Sequence, residues 1–447
     1  MRQWIAALAA IALVHVPTPD GVRAQDDFSP TAETTVTRDG TAYDFAAFTA
    51  DADFSSLDVN GPCQSCSTCG SPCATCGDCR GCCDGSRYSL RGWLNGGFIG
   101  NTSSPPSKFN GPYTAVDRSN EAMFNQGYLI AEAALPQYDR GIGGRLDLLY
   151  GEDFYLAQST GIERRPDGSP HWNPEYYGLA IPQAYVSVGS KDANIQIGHF
   201  YSVVGYEGLM APDNFFYSKS YSYQFAGPFT HWGAQANWNV DSAWTVQLGI
   251  HNGWDAFDRV SDDPGVIGKL RYDSPYSGAW TSFAITTGKE FNNSAGFPIQ
   301  DEFTNRTRYS WLVGTPQCCR WQYVFHHWLG FQQHGAPDGG QANWYGIDQY
   351  LYYNINRDWK AGMRFEWFRD EEGTRVGLNR PSNPNVPPLP GNFFSLSFGV
   401  NWSPTDNLIL RPEMRADWYS GNSVVDPYDD GNDSTQYMLG FDGIMTF

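Results

Sequence analysis

From Tyr88 to Phe447 the chain alternates apolar and polar residues in runs of about ten, the period of a strand with two unlike faces. In AWTVQLGIHNG, Trp244, Val246, Leu248 and Ile250 share one face, and Thr245, Gln247, Gly249 and His251 the other. In NLILRPEMRADW, Leu408, Leu410, Met414, Ala416 and Trp418 oppose Ile409, Arg411, Glu413, Arg415 and Asp417. FFSLSFGVNW sets Phe394, Leu396, Phe398, Val400 and Trp402 against Ser395, Ser397, Gly399 and Asn401. GGRLDLLYGED sets Leu146, Leu148 and Tyr150 against Arg145, Asp147 and Leu149.

The pattern predicts sixteen strands: 88–99, 127–136, 141–151, 179–189, 193–201, 230–240, 243–252, 265–273, 279–289, 307–315, 320–331, 343–354, 358–369, 392–402, 407–418 and 436–447. Links between them alternate in length. PQYDR, GSKDA, VDSA, SPYSG, TPQCCR, NINRD and SPTDN are short. The intervening links, about 100–126, 152–178, 202–229, 253–264, 290–306, 332–342, 370–391 and 419–435, are long. A soluble sandwich has no reason to alternate in this way. An even strand count with short turns on one side and long loops on the other is the plan of an outer-membrane barrel. Hydrocarbon offers no hydrogen-bond partner, so a β protein spans a bilayer only as a closed ring.

The expected fold class is therefore all-β: a transmembrane antiparallel β-barrel over 88–447, with outer-membrane lipid against its outer wall. Aromatics near strand ends are assigned to interface girdles: Trp93, Trp238, Trp244, Trp280, Tyr309, Trp321, Trp344, Trp402 and Trp418. The C-terminal run places Tyr437, Leu439, Phe441, Gly443, Met445 and Phe447 on one face and ends in Phe, similar to the assembly signal of such barrels.

The N-terminal part differs. Arg2 precedes an apolar run from Ile5 to Val16, too short to span as a helix, and Val22-Arg23-Ala24 offers small residues at −3 and −1. Residues 1–24 read as a secretory signal peptide. Residues 25–62, with eight acidic residues and Arg38 as the one basic residue, read as a disordered acidic leader. Residues 63–87 form a Cys-rich segment. The net charge is −19, which argues against nucleic-acid binding and predicts a weak preference for cations.

Within 195–233 the chain carries Gly198-His199-Phe200, Gly205-Tyr206-Glu207, Ser218-Lys219-Ser220-Tyr221 and Pro228-Phe229-Thr230, after Gln183-Ala184-Tyr185-Val186. In this order and spacing they resemble the OmpL-like β-barrel porins of bacterial outer membranes. The resemblance covers 88–447 and implies a porin, a passive pore for small hydrophilic solutes or ions. It does not name the solute. Trimers are expected only by analogy with other sixteen-stranded porins.

The loop 202–229 is long and aromatic. It either folds into the lumen, with Glu207, Asp213 and Lys219 near a constriction, or packs its rings on neighbouring loops or a partner subunit. Charged positions on the polar strand faces are Arg145, Asp147, Lys269, Arg271, Asp348, Lys360, Arg364, Glu366, Arg411, Glu413, Arg415 and Asp417. Of these Arg364, Glu366, Arg411, Glu413 and Arg415 are the candidate pore residues. A barrel of this size is expected to leave an aqueous channel.

Cys63, Cys66, Cys69, Cys73, Cys76, Cys79, Cys82 and Cys83 crowd one stretch. The first four have the spacing of a ferredoxin run, with Ala74 where Pro is usual. A cluster or zinc is weighed against disulfides, and disulfides are preferred because the exported compartment oxidises thiols. No cofactor or metal is assigned. If the long loops are external, this segment and the turn bearing Cys318 and Cys319 both lie in the periplasm. The run then cross-links to Cys318 and Cys319, to another protomer or to a Cys-rich envelope partner, or it pairs internally while Cys318 and Cys319 form a vicinal bridge of their own. A structural envelope anchor is the alternative function. No HExxH or GxSxG occurs, so no enzymatic activity is assigned.

Overall fold

The computed structural model describes residues 87–447, apart from 138, 166–168, 173–175, 259–261, 295–296, 317–319 and 377–386, and apart from the side chains of 291–302. The signal peptide, the acidic leader, the Cys-rich segment and Cys318 and Cys319 lie outside the described residues.

Strands β1 (Tyr88–Asn101), β2 (Glu121–Ala133), β3 (Gly141–Gly151), β4 (Gly178–Ala180), β5 (Ala184–Gly189), β6 (Ala193–Tyr201), β7 (Thr230–Asn239), β8 (Trp244–His251) and β9 (Gly265–Asp273) make the first part of one antiparallel sheet. Strands β10 (Trp280–Ser294), β11 (Phe297–Gly314), β12 (Trp321–Gln332), β13 (Ala342–Asn354), β14 (Trp359–Asp370), β15 (Gly391–Thr405), β16 (Leu408–Gly421) and β17 (Thr435–Thr446) complete it. Both β4 and β5 pair with β3, so they form one interrupted stave. β1 pairs with β2 and with β17, from Trp93 opposite Thr446 to Asn101 opposite Met438. The sheet is thus a closed barrel of sixteen staves. No helix among the described residues is long and apolar enough to cross a membrane.

The alternation sorts side chains as expected. Leu248, Ile250, Phe398, Met414, Leu439 and Phe441 point outward and are exposed, while Arg145, Asp147, Arg411, Glu413, Arg415 and Asp417 point inward and are buried. Trp238, Trp244, Trp321, Trp359 and Trp402 lie exposed at the short-turn end, and the Trp359 and Trp402 rings stack at 5.3 Å. That is a girdle, apolar on one side and able to meet headgroups on the other.

Four expectations need correction. Trp93, Trp280 and Trp344 are not girdle residues. They face inward and are buried, with the Trp93 Nε1 donating to Gln126 and the Trp344 Nε1 to the Ala226 carbonyl. The expected long loop 290–306 is mostly strand, because β10 and β11 continue as a hairpin in which Ser294 pairs with Phe297. β2 begins at Glu121, six residues before the expected 127. The fourth stave breaks at 181–183, where Pro182 cannot donate to the ladder and Gln183 turns its side chain to Asp147.

Candidate constriction site

The link 202–229 leaves β6 and folds into the barrel, where its rings are buried: Phe215, Phe216, Tyr217, Tyr221 and Phe225 are almost wholly covered. The wall is shaped to receive them. A Cβ on Gly362 would lie 2.4 Å from the Phe215 ring, and one on Gly97 would lie 2.6 Å from the Tyr217 ring. Phe215 packs on Phe216 at 4.8 Å and on Tyr352 at 5.0 Å. One short helix, α1 (Tyr221–Phe225), closes the return path. Its N-cap Ser220 accepts from the Tyr223 amide.

A loop taken into a lumen must find partners for its backbone, and charged side chains of the wall supply them. Glu366 of β14 accepts from the amides of Tyr221 (2.8 Å) and Ser222 (2.6 Å). Glu413 of β16 accepts from the Ser218 amide (2.9 Å) and hydroxyl (2.6 Å). Arg364 donates to Glu207 (2.6 Å) and to the Ser218 carbonyl (2.9 Å). Arg411 donates to the carbonyls of Ala211 (2.9 Å) and Asn214 (2.5 Å), and is paired with Asp442. Arg415 donates to the Lys219 carbonyl (2.7 Å), pairs with Asp417 and lies 4.7 Å from the Tyr113 ring centroid.

The structure therefore brings together Glu207, Lys219, Arg364, Glu366, Glu413 and Arg415, with Arg411 of β16 holding the adjoining stretch of loop at Ala211 and Asn214. The five strand residues do not face open water. They are buried, and they act as brackets for the loop. Lys219 donates to the Gly208 carbonyl at 2.8 Å and lies over the Tyr223 ring. Asp213 lines a small cavity together with Glu207, Tyr350 and Tyr352, within electrostatic reach of Lys219, and its Oδ2 has no hydrogen-bond partner among the described residues. Burial pushes the Asp213 carboxyl up to about 8 and pulls the Lys219 ammonium down to about 8. Burial also pushes on Glu207, but Arg364 and Lys219 outweigh it and hold that carboxyl below its usual range.

The wide aqueous channel expected from the strand count is narrowed by this filling. Between the loop and the wall of β3, β11 and β12 lies a cavity of about 60 Å³, lined by Arg145, Tyr206, Glu207, Tyr223, Arg308 and His326 among others. His326 donates or accepts at both ring nitrogens, 2.7 Å from Asp348 and 2.9 Å from Ser310. Sequence reasoning passed over Arg308 and His326 as pore residues. The signal was available for Arg308, since it shares a face with Arg306, Ser310 and Leu312 opposite Thr307, Tyr309 and Trp311.

Residues 87–447 match the model of the family described as "Putative beta-barrel porin-2, OmpL-like". The chain belongs to this family. It is an outer-membrane β-barrel porin, which passes small hydrophilic solutes by diffusion. Solved structures of similar fold include the outer membrane channel DcaP of Acinetobacter baumannii, with TM-score 0.53 and 12% identity over 80% of this chain and 97% of that one. An anion-selective porin from Comamonas acidovorans aligns with TM-score 0.52 and 9% identity, over 80% and 99% of the two chains. OmpT of Vibrio cholerae aligns with TM-score 0.50 and 10% identity, over 80% and 97%. At such identities the likeness speaks to fold alone. No curated protein matches this sequence.

Proposed function

We propose that this OmpL-like porin conducts through a lumen whose bore is set by the loop 202–229, seated on Arg364, Glu366, Arg411, Glu413 and Arg415. The observation that carries the reading is the hydrogen bonding of the loop backbone to those five buried side chains. A loop held by paired charges keeps a fixed cross-section. Glu207, Asp213 and Lys219 stand on the part of it that a solute must pass. The wall charges act on permeation mainly through the loop that they position.

The short turns are assigned to the periplasm and the long loops to the exterior, which puts Cys63 to Cys83 and the turn with Cys318 and Cys319 on the periplasmic side. Disulfides there agree with an oxidising compartment. Their partners are this chain, a second protomer or an envelope protein. A non-reducing gel distinguishes them, since an unshifted monomer band removes both intermolecular options. The same fold suits a channel better than a catalyst.

Planar-bilayer recording of the full chain tests the reading. Stable ohmic steps are expected, and replacement of residues 206–226 by a short Gly-Ser link is expected to enlarge them. A folded protein that stays silent in both forms would overturn the porin reading and return the envelope anchor.

A further inference from the structure

Of the cationic side chains that face the lumen of β11 to β17, Arg308 is distinguished by what it lacks. It is 3% exposed, and its Nε has no partner. Its guanidinium makes no hydrogen bond or ion pair with any described residue. Arg364, Arg411 and Arg415 are each paired with a carboxylate. A buried guanidinium without an acceptor is costly, and proteins tolerate it where a ligand or ion supplies one.

The surroundings are fitted to this side chain. A Cβ at Gly227 would lie 2.2 Å from Nη1 and 2.6 Å from Cδ of Arg308, so any other residue there would push the guanidinium from this position. Gly205, at φ +112, lies beside the guanidinium, whose Nη2 would stand 3.7 Å from a Cβ placed on that glycine, in ordinary contact. The cavity that Arg308 lines holds a second unused donor, the Tyr223 hydroxyl, which is buried with no hydrogen-bond partner among the described residues.

The carboxylates nearby are engaged in whole or in part. Glu207 accepts from Arg364, the Ser220 amide and Tyr350. Asp348 is within electrostatic reach of Arg308; its Oδ2 is bonded to His326 and Ser222, its Oδ1 has no hydrogen-bond partner among the described residues, and the residue does not line the cavity. Arg145, on the opposite wall of the cavity, is paired with Asp147 at 2.7 Å. Of the described residues that line the cavity, the two with a buried polar atom left unpartnered are both donors, one of them a fixed cation. At about 60 Å³ the cavity has room for a few waters or one small anion.

We infer that the Arg308 cavity is a binding step for small inorganic anions on the permeation path, so that the pore favours anions despite the acidity of the whole chain. The inference rests on the porin reading above, because it places the site on the path that the loop leaves open. A guanidinium presents a fork of N–H donors that suits oxyanions such as phosphate as well as halide.

The test is the reversal potential of the full chain in a KCl gradient, for wild type, Arg308→Gln and Arg308→Lys. Wild type is expected to prefer chloride. Arg308→Gln should lower the chloride-to-potassium permeability ratio by about fivefold, since a unit charge at about 4 Å is worth about 1 kcal/mol even in bulk water. Arg308→Lys should keep most of the preference. A second readout needs no current: calorimetric titration of the detergent-folded protein with inorganic phosphate should give binding in wild type and none in Arg308→Gln. A cation-preferring wild type, or a ratio and a phosphate isotherm that Arg308→Gln leaves unchanged, would overturn the inference. A silent wild type that still binds phosphate through Arg308 would count against the porin reading and leave the site standing.

Discussion

Arg364 of β14 and Glu207 of the lumen loop meet at 2.6 Å with both side chains buried, tying a stave of the wall to a segment 157 residues earlier in the chain. The same guanidinium donates to the Ser218 carbonyl and hydroxyl, so one side chain holds the descending and the returning limbs of the loop. Removing it leaves the buried Glu207 carboxylate without its paired cation. Breaking a buried pair in this way costs about 3–5 kcal/mol. Arg364→Ala is expected to raise single-channel conductance and open-channel noise and to lower the unfolding temperature. Unchanged conductance with unchanged stability would mean that the loop is held elsewhere.

Glu366 is the counterpart on the helical limb. Its carboxylate caps the amides of Tyr221 and Ser222, and Ser395 donates to it as well. Glu366→Ala leaves two buried amides without acceptors, a cost of about 1–3 kcal/mol each. Chymotrypsin should then cut the folded protein within Tyr217–Tyr223 faster than it cuts wild type. Equal cutting rates in the two proteins would exclude this role.

Gly362 gives room to Phe215, and its substitution is a steric test of the same seating. Gly362→Val sets new atoms against the ring and is expected to destabilise by about 1–3 kcal/mol. Phe215→Ala in the same chain should recover part of that loss. If the double variant is no more stable in urea than Gly362→Val alone, the two residues do not share this contact.

pH offers an independent handle on the constriction. Asp213, raised to about 8, keeps its proton at neutral pH and ionises as pH rises through 8. Lys219, lowered to about 8, is charged below that pH and neutral above it. Both changes make the loop more negative, so anion preference should fall between pH 6 and 10, with its midpoint near 8. For stability the signs oppose. The raised Asp213 removes stability as pH climbs towards 8, and the lowered Lys219 restores it between 8 and its unfolded value. These two groups alone place a stability minimum near pH 8. Asp213→Asn should halve the permeability change, and a flat profile in wild type would contradict the assignment.

The staves were legible because each has a wet face and a greasy one, and the period of two survives any detail of packing. Trp93, Trp280 and Trp344 show where residue type misleads and parity would not. Trp93 shares its face with Arg91 and Asn95, and Trp344 shares its face with Asp348, which are lumen neighbours. The β10–β11 extension escaped notice because Gln300, Asp301 and Glu302 break the apolar alternation, which a strand needs only where lipid touches it. The lumen candidates Arg364, Glu366, Arg411, Glu413 and Arg415 were found by sign and position. Their partners were not, since Ser218, Tyr221 and Ala211 meet them through backbone atoms, which every residue carries alike. Arg308 was the opposite case, a charge whose distinction lies in a missing partner and so cannot be read along a chain.

The seam of the barrel has a consequence for how the chain is made. Trp93 finds Thr446, and Gly92 exchanges backbone hydrogen bonds with Phe447, so the first stave's outer edge stays open until the last stave arrives. A polypeptide halted anywhere short of β17 keeps two raw borders, open to chaperones and to other copies. Completion of the ring thereby depends on the final stave, and a shortened product has no way to cover its two borders.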